Sequence, residues 1–268
     1  MLMHILEAVI LALVQGLTEF LPVSSSGHLI VVPELFGLAE PGLAFLAALH
    51  IGTLLAVLAY FRRDWADIVL LALGKKARFH TGSNRYTRRT FWLLVLATIP
   101  GAMAGYFLHA LFESHIPSAS VVAILILVGA GILWAADRRA RGNVTLGNIS
   151  PASAIGIGCA QVLALLPGIS RSGITISAGL LAGLSRTDAA RFSFLLAVPI
   201  TLGASAFELP RVVAAGLGME TLLASLVAFV SAYAVIAWML RHIERVTYLV
   251  FVLYGAALAL AALFFGRS

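Results

Sequence analysis

Two short polar stretches stand out in an otherwise apolar chain. The first runs Gln15 to His28, Q-G-L-T-E-F-L-P-V-S-S-S-G-H; the second runs Pro167 to Thr175, P-G-I-S-R-S-G-I-T. Gln15 and Glu19 are four residues apart, so on a helix they project from one face. That oxygen pair could hold a divalent cation such as Mg²⁺ or Ca²⁺, which prefer oxygen ligands. Glu19 could instead orient or deprotonate a neighbour, and Gln15 could serve as an interhelical hydrogen bond. After Pro22, Ser24, Ser25, Ser26 and Gly27 read as the capped start of a new helix, whose free N–H groups and dipole suit a phosphate. His28 follows Ser25 by three positions, so the two can share a helix face. Serine beside histidine is a minimal nucleophile and base, with Glu19 as a third member. Capping alone would account for Ser24 or Ser26.

In the second stretch Arg171 sits between Ser170 and Ser172 at another helix start. Guanidinium forms bidentate bonds to phosphate, and serine and backbone donors could fill the remaining oxygens. The bland alternative for Arg171 is a structural ion pair with Glu19, which need not exclude a phosphate role. His50, His109 and Glu208 read as helix-end or packing residues. The two stretches are expected to meet as one anion-binding catalytic centre with Glu19, Ser25, His28 and Arg171 as its catalytic groups.

These groups need a scaffold, and composition says which. Of 268 residues, 61% are hydrophobic and 11% charged, with a mean hydropathy of +1.01. A soluble domain carries about 25% charged residues, so the composition excludes a soluble class and points to an all-α polytopic membrane protein. The net charge of +6 comes from residues clustered in short loops. That is a topology signal, and nucleic acid is not an expected partner. Cys159 is the single cysteine, which rules out an internal disulfide. The N-terminus lacks a basic lead and a small-residue cleavage site, so no signal peptide is expected.

Six apolar segments are long enough to span a bilayer: about 43–61, 91–110, 120–136, 190–209, 220–240 and 248–265. Regions 5–36 and 153–184 are each split by proline, at Pro22 and Pro167, into halves too short to cross. Such halves suggest re-entrant hairpins. A hairpin followed by three spans thus occurs twice, over about 1–139 and 150–266, inside one membrane domain of residues 1–268. Gln15, Ser24, Ser26 and Gly27 recur as Gln161, Ser170, Ser172 and Gly173. Three crossings per copy make the second copy inverted, an arrangement that puts a site near the midplane. Loop 62–90 carries eight basic residues and loop 112–119 none. The basic side is expected in the cytoplasm, with the first hairpin opening to the outer face.

At these residues the chain closely resembles the undecaprenyl pyrophosphate phosphatase family of the bacitracin-resistance type. The likeness lies in Gln15-x-x-x-Glu19 followed by F-L-P-V-S-S-S-G-H, and in P-G-x-S-R-S-x-x-T matched at every position from Pro167 to Thr175. The resemblance implies hydrolysis of undecaprenyl diphosphate, usually with a divalent cation; the expected location is the bacterial inner membrane, with the site open to the periplasm by the charge count. It implies roles for Glu19, Ser25, His28 and Arg171, with Ser24, Ser170, Ser172 and Thr175 in support. Many members carry Glu where this chain has Gln15, which weakens that residue as a metal ligand. A transporter or flippase for an anionic polyprenyl lipid is the competing reading from architecture, and a homodimer is left open.

Overall fold

The computed structural model describes residues 5–80, 85–114, 117–216 and 218–265, and the side chains outside 109–114. Among them the chain is all-helical, with one isolated bridge between Val144 and Leu184 and no strand. Helix α1 covers Ile5–Thr18, α2 Ser25–Phe36, α3 Leu43–Tyr60, α4 Arg62–Ala72, α5 Arg88–Ser114 and α6 Ala119–Arg139. The second half follows as α7 Pro151–Gln161, α8 Arg171–Leu181, α9 Arg186–Ala215, α10 Met219–His242 and α11 Leu249–Phe265. Five of them, α3, α5, α6, α9 and α10, are long and apolar enough to cross a membrane; α11 has 17 residues. Large apolar side chains such as Trp92, Met103, Tyr106, Leu226 and Leu253 stay exposed on the outside of the bundle. A soluble protein would bury them; a lipid-facing surface requires them.

The expected spans thus appear as helices with ends shifted by a few residues. One element was not foreseen. Helix α4 lies within what reads as a basic loop, because Arg62, Arg63 and Asp64 mask its amphipathic character. Its inner face carries buried Ile68, Asp64 and Asp67. Asp64 is held by Arg191 Nη1 at 2.7 Å and by the Tyr86 hydroxyl. Asp67 accepts the backbone N–H groups of Arg78, Phe79 and His80 at 2.6–3.2 Å.

Both proline-split regions are pairs of short helices. In the first, α1 stops at Thr18, and α2 restarts with Ser24 as its cap, whose hydroxyl accepts the Gly27 N–H at 3.2 Å. In the second, Ser170 accepts the Gly173 N–H at 3.1 Å, so the 146-residue echo in sequence is also an echo in the capping hydrogen bond, although the two cap backbones differ. Gly168 makes the second break possible. Its φ is 109°, and a Cβ there would lie 2.6 Å from the Val122 carbonyl, so both backbone conformation and space demand glycine.

Helix α1 packs along α10, and α7 packs along α5. Each half's opening helix therefore lies on the penultimate helix of the other half. Small residues permit these crossings, as is usual between helices in lipid. A Cβ on Gly16 would fall 2.6 Å from the Ala228 carbonyl, and one on Gly158 would fall 2.3 Å from the Ala97 carbonyl. The principal core cluster includes Phe20, Phe61, Phe192, Phe194 and Tyr248, beneath the two broken pairs.

Candidate active site

Glu19 occupies the turn just past α1, and four groups converge on its carboxylate. Arg171 Nη2 donates to Oε1 at 2.5 Å. Gln15 Nε2 and Ser25 Oγ donate to Oε2 at 2.9 and 2.7 Å. His50 Nε2 lies 3.8 Å from that same oxygen. The carboxylate is 8% exposed, so its charge is compensated by these neighbours and hardly at all by water. Ser172 Oγ donates to the Leu21 carbonyl at 2.9 Å, closing a second tie between the two breaks. The two polar stretches, 146 residues apart, thus share one place in the fold.

Above Glu19 opens a cavity of about 470 Å³. Glu19, Ser24, Ser25, Ser26, His50, Ser170 and Arg171 form its polar end, and Glu208 and Arg211 also line it. Leu43, Leu46, Ala47, Leu165 and Ile169 supply apolar wall. Arg171 keeps capacity for an anion. One terminal nitrogen is spent on Glu19, but Nη1 is buried without a hydrogen-bond partner, a state native structures rarely leave unused. The Phe20 ring lies 5.9 Å under the guanidinium and helps fix its plane.

The expected hydrogen bond between Ser25 and His28 does not form. The His28 ring is buried, with Nδ1 on the Ser24 carbonyl at 2.7 Å and Nε2 on the Tyr254 hydroxyl at 2.9 Å. A carbonyl only accepts, so Nδ1 carries a hydrogen and the neutral ring's Nε2 accepts from Tyr254. Three-residue spacing placed serine and histidine near one face, but the partner that turns the ring comes from α11. Ser25 pairs with Glu19 instead.

Other expected groups stand behind the cavity. Thr175 Oγ1 donates to the Arg171 carbonyl at 2.7 Å and meets Ser193 Oγ at 2.7 Å, locking α8 to α9. The Gly27 N–H is engaged by the Ser24 cap, and a Cβ on Gly27 would press within 3.0 Å of Ile126 Cδ1. Ser172 ties the breaks together as described. Ser24 has a φ of 71°, the one positive value among non-glycine residues described. Such backbone strain collects at functional sites.

Two residues given only packing roles by sequence, His50 and Glu208, line the cavity; the side chain of His109 lies outside the described ones. A signal for them existed. Leu43, Leu46, Ala47 and His50 form an i, i+3, i+4, i+7 stripe on α3, and Thr201, Ala204, Ser205 and Glu208 do the same on α9.

For a divalent cation this donor set has little left to offer. Both Glu19 oxygens already accept protein donors, and the Arg171 guanidinium occupies the near side of the carboxylate. Gln15 is buried behind Glu19 and outside the cavity lining, and its amide nitrogen is committed to Glu19. Among the described residues no group of three His, Cys, Asp or Glu side chains could hold a metal. The charged donors present therefore do not fit a resident cation, and Gln15 meets Glu19 through its amide nitrogen while its Oε1 is buried without a hydrogen-bond partner.

The chain matches the family model described as bacitracin resistance protein BacA over residues 8–261. It is 44% identical over 264 residues to an undecaprenyl-diphosphatase of Alcanivorax borkumensis, covering 96% of this chain and 97% of that one. It is 43% identical over 258 residues to an undecaprenyl-diphosphatase of Moorella thermoacetica, covering 96% of each. A third, from Desulforudis audaxviator, is 41% identical over 265 residues and 97% of each chain.

Proposed function

The chain belongs to the bacitracin resistance protein BacA family, and from that premise we propose that it hydrolyses undecaprenyl diphosphate to undecaprenyl phosphate and inorganic phosphate. This reaction returns the carrier lipid to cell-wall synthesis. The observation that carries the reading is the Ser25–Glu19–Arg171 cluster at the polar end of a largely apolar cavity. Arg171 and Ser170 would receive the terminal phosphate, while the apolar wall and the lipid phase take the isoprenoid chain.

Ser25 is the proposed nucleophile. Its hydroxyl already donates to a carboxylate, which is the polarisation an attacking oxygen needs. Attack on the terminal phosphorus would expel undecaprenyl phosphate, and water would then release inorganic phosphate from the serine. Arg171 would neutralise charge gathering on the transferred group. His28, tied on both nitrogens, would hold Ser24 and the helix start in place. Any divalent cation would enter with the diphosphate, whose oxygens are hard ligands. Transport alone would leave the Ser25–Glu19 bond without a task.

The interchange of packing partners between halves supports six spans and two re-entrant hairpins in an inverted repeat. The cavity is lined by the start of α3 and the later part of α9. Apart from Arg211, the basic residues next to these helices flank their opposite ends, which favours a site open to the periplasmic side of the inner membrane.

The test is phosphate release from a polyprenyl diphosphate by purified protein. The wild type should release it, and Ser25→Ala should lose at least about 10²-fold in kcat while still binding the lipid. Hydrolysis by Ser25→Ala within about tenfold of wild type, a loss of order 1.4 kcal/mol, would return Ser25 to a capping role.

A further inference from the structure

Among the described residues His50 is the one imidazole lining the cavity, and nothing in the spacing of the polar stretches assigns it a task. Its Nδ1 lies 2.8 Å from the Leu46 carbonyl. A carbonyl can only accept, so Nδ1 bears a hydrogen, and in the neutral ring Nε2 presents a lone pair. That lone pair lies 3.8 Å from Glu19 Oε2, the oxygen on which Ser25 donates at 2.7 Å. Two acceptors facing each other at this distance repel unless a proton or a water lies between them. The arrangement is therefore made to carry a proton. The order is hydroxyl, carboxylate, imidazole, cavity, with a gap between carboxylate and imidazole just beyond direct hydrogen-bond reach that one bridging water closes.

Glu19 is poorly suited to keep a proton itself, because Arg171 sits 2.5 Å from its other oxygen. His50 suits the next position. Its side chain is 38% exposed, against 8% for Glu19, so it faces the water that must finally accept the proton. His28 offers no such position, since both of its ring nitrogens are engaged away from Ser25. The other charged groups lining the same cavity are Arg171, Glu208 and Arg211. Glu208 accepts from Arg211 at 2.7 Å, so among the described lining groups His50 is the one that offers a ring nitrogen to the cavity.

We propose that His50 is a catalytic residue of the phosphatase reaction: Nε2 takes up the proton that leaves Ser25 by way of Glu19. The inference rests on the reading of Ser25 as nucleophile. In the first half-reaction a bond forms between Ser25 Oγ and the terminal phosphorus. The bridging P–O bond breaks, its electron pair leaves with the lipid monophosphate, and the serine proton passes through Glu19 Oε2 to His50 Nε2. His50 then releases that proton to cavity water. In the second half-reaction a water oxygen bonds to phosphorus, the Ser25 Oγ–P bond breaks, and a water proton returns to Ser25 through Glu19. The balance is one diphosphate and one water giving monophosphate, inorganic phosphate and one proton.

Three variants test this with purified protein and a polyprenyl diphosphate labelled on its terminal phosphate. His50→Gln fills the site and keeps polar capacity but cannot take a proton; it should lose about 10²-fold or more in kcat with KM within about threefold. His50→Ala should be equally slow and regain about tenfold in added imidazole, because a soluble base can occupy the vacated ring site. Turnover by His50→Gln within about threefold of wild type would overturn the assignment, and so would a slow His50→Ala that imidazole does not restore. Ser25→Ala judges the underlying reading separately. If it abolishes labelling of the protein while His50→Gln stays fast, the nucleophile stands and His50 is only a wall. If Ser25→Ala turns over normally, the nucleophile reading fails, and the proton path drawn here fails with it.

Discussion

At the scale of single residues, the site turns on which atoms are already spoken for. Arg171 both closes an ion pair with Glu19 and keeps Nη1 without a partner. Lysine could keep the first role, since an ammonium pairs well with one carboxylate, but could not bridge a phosphate at the same time. Arg171→Lys should therefore stay folded, with a thermal midpoint in detergent close to wild type, yet lose about 10²-fold in turnover, about 3 kcal/mol of transition-state stabilisation. Stable protein with full activity would make the arginine purely structural. Much of this site was legible, because a carboxylate, an arginine and clustered serines at membrane depth have few bland explanations. What stayed hidden was pairing. Tyr254 lies 226 residues from His28 and turns its ring away from Ser25, and local spacing carries no trace of so distant a partner. His50 was visible as the polar member of an apolar stripe, but a lone histidine in an apolar helix usually satisfies itself on a carbonyl. It does that here with Nδ1 while Nε2 faces the cavity.

At the scale of elements, proline alone does not tell a break from a bend. Pro33, Pro100, Pro199 and Pro210 all stay inside helices, whereas the chain breaks around Pro22 and Pro167. The difference is the run that follows: both breaks lead into serine caps, and Gly168 accepts a conformation closed to other residues. That distinction is readable in sequence. Helix α4 is not, since its anchor is a set of backbone donors wrapped on Asp67. Burial pushes the Asp67 carboxyl up, but the N–H groups of Phe79, Arg78 and His80 and the His80 ring outweigh it and hold the group below the usual carboxylate range. A group depressed in the folded state contributes stability above its unfolded pKa and loses it as pH falls through the folded value. Asp67→Asn should thus cost about 2 kcal/mol at neutral pH, where charged hydrogen bonds are lost. The gap between variant and wild type should narrow once acid has protonated Asp67. Thermal midpoints of both proteins in detergent across pH 7 to about 3 check the sign; a gap that widens on acidification would contradict it.

At the scale of the whole molecule, the same interchange that joins α1 to α10 and α7 to α5 brings Glu19 and Arg171 together. One polar stretch supplies the acid and serine side and the other the cation, so neither half is a complete site. The matching polar stretches made their meeting legible before any coordinates, whereas the side the cavity faces is proposed from counting charges. Lys76 lies in the basic segment after α4, and Ser118 caps α6 at the opposite end of the spans; both are exposed. A cysteine at each position, in a Cys159→Ala background, should separate the two faces in intact cells. Ser118→Cys should react with an impermeant thiol reagent at once, whereas Lys76→Cys should react only after the membrane is opened. Because the cavity mouth is formed by the start of α3 and the later part of α9, it shares its side with Ser118. The same cells should therefore hydrolyse an added water-soluble short-chain diphosphate without permeabilisation, and inside-out vesicles should do so slowly until opened. Immediate labelling of Lys76→Cys from outside would reverse the orientation of the protein and, with it, the face from which the diphosphate enters.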